Sequence, residues 1–247
     1  MRLLIASIVQ GTKYCTMKLI EFTDPIQPHD TLNPALWDND QLQPTVRHAL
    51  IRIAEDFKEF IDVPFKVLDI VVAGGNANYT YTPHSDIDVH IIADYASVSC
   101  DRTAAELFDT KRLLYKNEYT ITVRDIPVEL YVEDHRYPAV SSSYSILTDE
   151  WVLPPKSDIP QYDHKEVEHM VGVWETLIQR AMKTRDLSVC RTAIHLVRQY
   201  RKAGLKSPAG EFSVPNLVYK SLRNNNTVNA MTTLIDQLHS KDLSLDQ

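Results

Sequence analysis

The chain has 247 residues, of which 44% are hydrophobic and 24% charged, a composition typical of a globular protein with one large domain or two small ones. Its formal net charge of −7 argues against a protein that coats nucleic acid, so we expect no non-specific DNA binding. No apolar run approaches the roughly 20 residues that a membrane-spanning helix needs, and we expect no membrane association. Three widely spaced cysteines without a metal-binding or redox motif, Cys15, Cys100 and Cys190, indicate reduced thiols and a cytoplasmic location.

Residues 1–40 are predicted to form an irregular lead-in, because polar residues and prolines dominate from residue 21 onward. Arg2 and the apolar run at 3–9 have the outline of a very short signal peptide, although a dispensable leader or an extra edge strand fits them too. Met17 offers a second possible start, so two starting points of the native product stay open.

Residues 41–160 are predicted to form a domain that mixes helices and strands. The expected elements are a helix over 44–60, strands over 66–73 and 86–92, a helix over 103–115 and a hairpin with strands over 119–123 and 126–132. Lys111 falls on the apolar face of the second helix. It either packs its stem and keeps its ammonium group in water, or it contacts a triphosphate.

Residues 161–247 are predicted to form an all-helical domain, after a packed connecting segment over 136–163. Helices are expected over 163–182, 187–203, 214–222 and 228–239, the first opened by a capping box of Asp163 and Glu166 and the second ended by Gly204. A stripe of cationic side chains follows the second of these helices: Arg191, His195, Arg198 and Lys202, with Lys206 beyond. The stripe is either a solvated face or a wall for a polyanionic substrate.

The stretch 71–92 carries the clearest chemical pattern. Gly74 and Gly75 interrupt an apolar run, and glycines allow backbone N–H groups to approach a phosphate closely. In the strand that follows, alternation places Asp86, Asp88 and His90 on one face. Two carboxylates so close repel each other unless a cation lies between them, and oxygen ligands of this kind suit Mg²⁺.

Two further polar side chains belong to this pattern. Glu129 lies in an apolar strand, where it is either on the exposed face of a one-sided sheet or a third metal ligand beside Asp86 and Asp88. His90 is either a packed group that supports the ligands or a general base.

Together these residues resemble the nucleotidyltransferase superfamily that includes DNA polymerase beta, the antibiotic nucleotidyltransferases and the CCA-adding enzymes. Its pattern is a Gly-Gly or Gly-Ser pair, then Asp/Glu-x-Asp/Glu, then a later Asp or Glu, and Gly74-Gly75, Asp86-Ile87-Asp88 and Glu129 occupy these positions. From Met17 onward the chain also looks like nucleotidyltransferase-like proteins predicted in tailed bacteriophage genomes. The segments that carry this closer resemblance are 32–37, 75–79, 85–88, 126–132 and 210–213.

The resemblance implies an α+β fold with a nucleotidyltransferase-type mixed β-sheet flanked by helices, followed by the helical region. It implies that Asp86, Asp88 and Glu129 bind two Mg²⁺ ions, or Mn²⁺, and that Gly74, Gly75, Asn76 and Ser85 bind the nucleotide. The implied reaction transfers a nucleoside monophosphate from a nucleoside triphosphate to an acceptor and releases pyrophosphate. RNA, a protein and a small molecule are all open as the acceptor, in the host cytoplasm if a phage encodes the chain.

One departure from the family pattern leaves other functions open. Many members have a serine hydroxyl at the second position of the glycine pair, where this chain has Gly75, although Asn76 or Asn78 offers a substitute donor. A catalytically weak nucleotide-binding or sensor module is therefore the first alternative. A synthase of nucleotide second messengers, which shares the three carboxylates, is the second.

Overall fold

The computed structural model describes residues 25–26, 28–98, 101–137, 141–156 and 160–244. The predictions for the first 24 residues, namely the targeting peptide, leader or edge strand and the second start at Met17, lie outside the described residues, as do those for Cys15 and Cys100. Cys190 is a buried free thiol.

The described residues form eight strands and six α-helices. The strands are β1 (Trp37–Asp38), β2 (Gln41–Leu42), β3 (Val67–Ala73), β4 (Ile87–Ala93), β5 (Thr122–Val123), β6 (Ile126–Asp134), β7 (Ser143–Ser145) and β8 (Glu150–Leu153). The helices are α1 (Pro44–Ile61), α2 (Asp101–Glu118), α3 (His164–Thr184), α4 (Leu187–Leu205), α5 (Val214–Asn224) and α6 (Thr227–Leu243). The predicted α+β class, with a sheet flanked by helices and an all-helical region after it, is confirmed.

The main sheet has six strands in the order β5-β6-β4-β3-β7-β8. Neighbouring strands run antiparallel except β4 and β6, which are parallel and pair Asp88 with Glu129. The alternation predicted for β4 is confirmed, because Ile87, Val89 and Ile91 are buried while the residues between them are partly exposed. The chain therefore brings the two acidic strands side by side at the centre of the sheet.

Local sequence signals explain most element boundaries. Pro44 stands in the first turn of α1, where its missing N–H has no intrahelical partner. Arg124 and Asp125 both have positive φ, which a two-residue hairpin turn requires, and they join β5 to β6. The Asp163 carboxylate accepts hydrogen bonds from the N–H groups of Lys165 and Glu166, so the predicted cap opens α3.

Buried apolar side chains form two clusters. The first includes residues of α1, α2 and the main sheet, and the second includes residues of α3 to α6 together with Ile26. The domain boundaries at residues 40 and 160 stay predictions. No helix in the described part of the chain combines the length and the apolar character needed to cross a bilayer.

Three expectations need correction. The segment 136–163 contains β7 and β8, which extend the sheet beyond β3, because backbone pairing with β3 does not require an apolar pattern. Leu32, Leu36 and Trp37 of the predicted surface lead-in are buried in the first cluster. Gly204 does not end α4, which continues to Leu205; a Cβ atom there would lie 2.5 Å from Ser213 Oγ and 2.7 Å from Pro215 Cβ, so the glycine permits close packing.

Candidate active site

The glycine pair lies at the end of β3, next to the first acidic residues of β4. Gly74 has a φ of 75°, a conformation that glycine adopts without strain, and Gly75 opens a short 3₁₀ turn, Gly75–Ala77. Ala73 pairs with Asp88 across the two strands. The turn therefore lies against the Asp88 carboxylate, as the pattern of glycines and aspartates predicted.

The three predicted carboxylates share one face of the sheet. Asp88 and Glu129 are direct neighbours on the parallel strands β4 and β6. Asp86 lies two residues before Asp88, directly ahead of β4, and lines the same cleft as Glu129. All three side chains are only partly exposed. A compact patch of negative charge results near the ends of the strands that lie next to the glycine turn.

Burial and mutual repulsion disfavour the charged forms of the two aspartates. Burial raises the pKa of Asp88 to about 6, and Asp86 and Glu129 add to the shift while His90 opposes it. The pKa of Asp86 is also raised, mainly by burial and next by the charge of Glu129. The protein alone therefore leaves negative charge at this point insufficiently compensated, a condition that a bound cation relieves.

Glu129 differs from the aspartates because a cation and a hydroxyl donate to it. The ammonium group of Lys116 donates to Oε1, and the Tyr131 hydroxyl donates to Oε2 at 2.6 Å. Burial is the largest single effect and would raise the pKa of Glu129, but these two hydrogen bonds and the charges of Lys116 and Arg112 together hold the pKa below its ordinary value. The glutamate is therefore ionised and already faces one cation, that of Lys116.

Divalent cations fit the donor chemistry of this patch, since all three groups offer carboxylate oxygens and two have raised pKa values. In the described residues, however, no three His, Cys, Asp or Glu side chains converge closely enough to hold a metal ion as they stand. Asp86, Asp88 and Glu129 are the side chains that would hold Mg²⁺. For Glu129 this requires that the ion replace Lys116.

The side chain of Asn76 supports the glycine turn from inside. Its amide nitrogen donates to the carbonyl oxygens of Ser85 at 3.0 Å and Asp86 at 2.9 Å, and its oxygen accepts from Asn33. The indole of Trp37 donates to the Asn76 carbonyl. These bonds join the turn to the residues directly before β4. Because the Asn76 side chain is already hydrogen-bonded within the protein, a contact of Asn76 with the nucleotide would be made by its backbone N–H.

Ser85 occupies the space beside Gly75. Its hydroxyl oxygen accepts a hydrogen bond from the Thr82 N–H at 2.9 Å and lies 3.0 Å from the point where a Cβ atom on Gly75 would stand. Asn78, the other candidate donor, is nearly buried, and its oxygen accepts from the Tyr79 N–H. A hydroxyl is thus present next to the second glycine, although it comes from the following loop.

His90 packs within the polar face of the sheet. Its ring stacks on Tyr131 with centroids 4.8 Å apart, and Nδ1 lies 2.9 Å from Glu133 Oε1. The geometry agrees with a packed supporting group rather than with a general base. Lys111 likewise has a structural environment, since its ammonium group donates to the Phe60 carbonyl at 3.2 Å and lies over the Phe60 ring.

The C-terminal helices supply a wall of the site that sequence analysis did not find. Asp86 and Glu129 open into a cleft of about 340 Å³, whose other lining residues are His84, Arg223, Asn224, Asn226 and Asn229. The last four belong to the end of α5, the following turn and the start of α6. The cationic stripe on α4 does not contribute to this cleft; Arg191 and His195 line a separate, open depression with Leu187, Ser188 and Thr192.

Two basic residues of α5, Arg223 and Lys220, interact electrostatically with the carboxylates. The charge of Arg223 lowers the pKa of both Asp86 and Asp88, although it is not the dominant cause in either case. Burial is the main cause that lowers the pKa of Lys220, and the nearby charge of Asp88 partly opposes this shift. An anion bound beside the carboxylates would therefore meet positive charge from α5.

No protein-family model matches the sequence, and no curated protein matches it. Among solved structures, the chain is similar to a STING-associated CdnE c-di-GMP synthase from Capnocytophaga granulosa. The identity is 12%, the similarity covers 84% of this chain and 85% of that one, and the TM-score is 0.23, a value that carries no argument about function. The relationship to phage proteins has no support from these comparisons and stays an expectation.

Proposed function

We propose that the protein is a Mg²⁺-dependent nucleotidyltransferase that transfers a nucleoside monophosphate from a nucleoside triphosphate to an acceptor. One observation carries the proposal. After the glycine turn come Asp86, directly before β4, and Asp88 on β4, and Glu129 stands directly beside Asp88 on the parallel strand β6. Metal-assisted phosphoryl transfer needs this combination of clustered carboxylates and a close backbone approach to phosphate.

The residues have separate roles in this proposal. Asp86, Asp88 and Glu129 hold Mg²⁺, which when bound stabilises charge on the entering and leaving oxygens. The backbone at Gly74 and Gly75 approaches the phosphates, because neither residue has a side chain of its own. Arg223 lies in the same cleft as Asp86 and offsets part of the negative charge of the triphosphate.

A nucleotide-binding module with little turnover is the second candidate. It is favoured by the pairing of Glu129 with Lys116, which places a cation of the protein at the third carboxylate. In such a module the ammonium group would stay in place and one metal position would be lost. Binding of nucleotide would then persist without product.

The test is incubation of the purified protein with each α-labelled nucleoside triphosphate and Mg²⁺ or Mn²⁺, with and without RNA and cell lysate. Asp86→Asn and Asp88→Asn remove the proposed ligands at constant side-chain size. Asp94→Asn is the matched control, because Asp94 follows the opposite end of β4 and an asparagine keeps its cap on the Ala96 N–H.

Each outcome of this test has a defined meaning. Labelled acceptor formed by the wild type and the control, but by neither site variant, would support transfer and identify the acceptor as RNA, protein or small molecule. A cyclic or oligonucleotide product without acceptor would indicate synthesis of a second messenger. Nucleotide binding without any product would favour the binding module, and absence of both would overturn the proposal.

A further inference from the structure

The turn between α5 and α6 presents three asparagines to the cleft that contains Asp86 and Glu129. Asn224 ends α5, Asn226 precedes α6 and Asn229 lies in its first turn. The fourth asparagine of this region, Asn225, is engaged elsewhere: its amide nitrogen donates to Glu175, and its oxygen accepts from the Thr227 N–H. The turn is therefore anchored through Asn225, while its neighbours face the cleft.

Asn226 has two features that are unusual for its position. Its φ is 68°, in the left-handed region, and its side chain makes no capping hydrogen bond although asparagine is a preferred residue at a helix N-cap. The amide is exposed and lines the cleft. Asn226 therefore adopts a left-handed backbone conformation although its side chain does not cap α6.

The chemistry of this wall suits a nucleobase better than a phosphate. Phosphates are bound by cations and backbone N–H groups, whereas a carboxamide carries both a donor and an acceptor and has no charge. Paired donors and acceptors are what base edges present, and asparagine forms such bidentate pairs with adenine. Arg223 is the cation among the described residues that line the cleft, and the three neutral amides there add no charge to balance that of a phosphate.

An aromatic side chain also lines the cleft, on the side of Asp86. His84 lines the cleft from the loop before β4, beside Asp86, and its side chain is exposed. A flat imidazole face allows stacking with a base of any identity, while the amides distinguish one base edge from another. The volume of about 340 Å³ falls at the small end of the range for ligand pockets.

We infer that Asn224, Asn226 and Asn229 contact the base of the bound nucleotide and determine the base preference of the site. This inference rests on the proposed function, because it requires a nucleotide whose phosphates lie at the carboxylates. It adds the specificity-determining residues, which belong to the helical region rather than to the sheet that carries the carboxylates.

The experiment measures binding rather than turnover. Dissociation constants for non-hydrolysable analogues of ATP, GTP, CTP and UTP are determined by calorimetry with Mg²⁺ for the full chain and for Asn224→Ala, Asn226→Gly and Asn229→Ala. Glycine is used at position 226 because it keeps the left-handed backbone. Asn39→Gly is the matched control, since Asn39 also has a positive φ, of 54°, but lies in the β1–β2 turn.

We expect the wild type and Asn39→Gly to prefer one base. At least one of the three cleft variants should reduce that preference about tenfold or more, the loss expected for one bidentate pair, while binding of inorganic triphosphate stays unchanged. Equal affinity of the wild type for all four analogues, or an unchanged preference in all three variants, would overturn the inference while leaving the proposed function intact. Absence of any metal-dependent nucleotide binding by the wild type would instead overturn the proposed function.

Discussion

A Cβ atom on Gly74 would lie 3.1 Å from Cγ of Asp88 and closer still to its Oδ2 oxygen. The glycine also has a φ of 75°, which an alanine adopts only under strain. The absence of a side chain at position 74 therefore determines where the Asp88 carboxylate stands. The positions of Gly74 and Asp88 therefore depend on each other.

We expect Gly74→Ala to abolish metal-dependent activity and to lower the free energy of unfolding by about 1–3 kcal/mol, because it combines backbone strain with displacement of a carboxylate. Chemical denaturation and the nucleotide assay check this. Gly172→Ala is the control: its Cβ would meet nothing within 4 Å in α3. It should stabilise the protein by about 0.5–1 kcal/mol and leave activity unchanged. Equal effects of the two substitutions would contradict the assigned role of Gly74.

A serine side chain at position 75, as many nucleotidyltransferases have, conflicts with Ser85 in this protein. The Cβ atom would stand 3.0 Å from Ser85 Oγ, which already accepts a hydrogen bond from Thr82. We expect Gly75→Ser alone to reduce stability and nucleotide affinity. Combined with Ser85→Ala it should recover most of both, with a coupling energy of about 1 kcal/mol. Additive effects of the two substitutions in a double-mutant cycle would show that the two side chains do not compete for one space.

Asp88→Asn should stabilise the metal-free protein. Folding raises the pKa of Asp88 from about 3.9 to about 6, so the folded state loses stability as pH rises through this interval and the carboxylate ionises. Asparagine carries no charge. We expect a gain of about 3 kcal/mol at pH 7 that disappears near pH 4, measured by chemical unfolding in the presence of a chelator.

If Mg²⁺ binds the folded wild type as the proposed function requires, the same substitution should remove the stabilisation that Mg²⁺ confers. Asp94→Asn, which removes a carboxylate at the other end of β4, should retain the response to Mg²⁺. A variant Asp88→Asn that is less stable than the wild type at pH 7 would mean that charge repulsion does not dominate this site.

Local patterns predicted the half of the site that lies on the sheet. Alternation over 86–91 predicted that Asp86 and Asp88 share one face, and alternation over 126–132 placed Glu129 on the face opposite Val128 and Leu130. The other half was not predictable from the sequence. Asn224, Asn226 and Asn229 look like ordinary turn residues in the sequence, because only the tertiary fold brings them into one cleft with Asp86. No local sequence pattern marks Lys116 as the partner of Glu129 either, because the two residues meet only when α2 packs against β6.

Substitution of Lys116 tests whether its ammonium group occupies the place of a metal ion at Glu129. Its ammonium group pairs with Glu129 although the side chain is more than half exposed. We expect Lys116→Met to raise the affinity for Mg²⁺ or Mn²⁺ about threefold to tenfold, because Glu129 loses a competing cation; screening by solvent keeps the effect modest. Titration calorimetry without nucleotide measures it.

Lys111→Met is the matched control, since Lys111 lies on the same helix and donates to the Phe60 carbonyl instead. It should lower stability and leave metal affinity unchanged. If Lys116→Met weakens nucleotide binding while metal affinity stays constant, Lys116 contacts the phosphates rather than competing with the metal. If it strengthens metal binding and increases turnover, the ion pair with Glu129 restrains catalysis in the wild type, and the low-turnover alternative is a property of one lysine rather than of the fold.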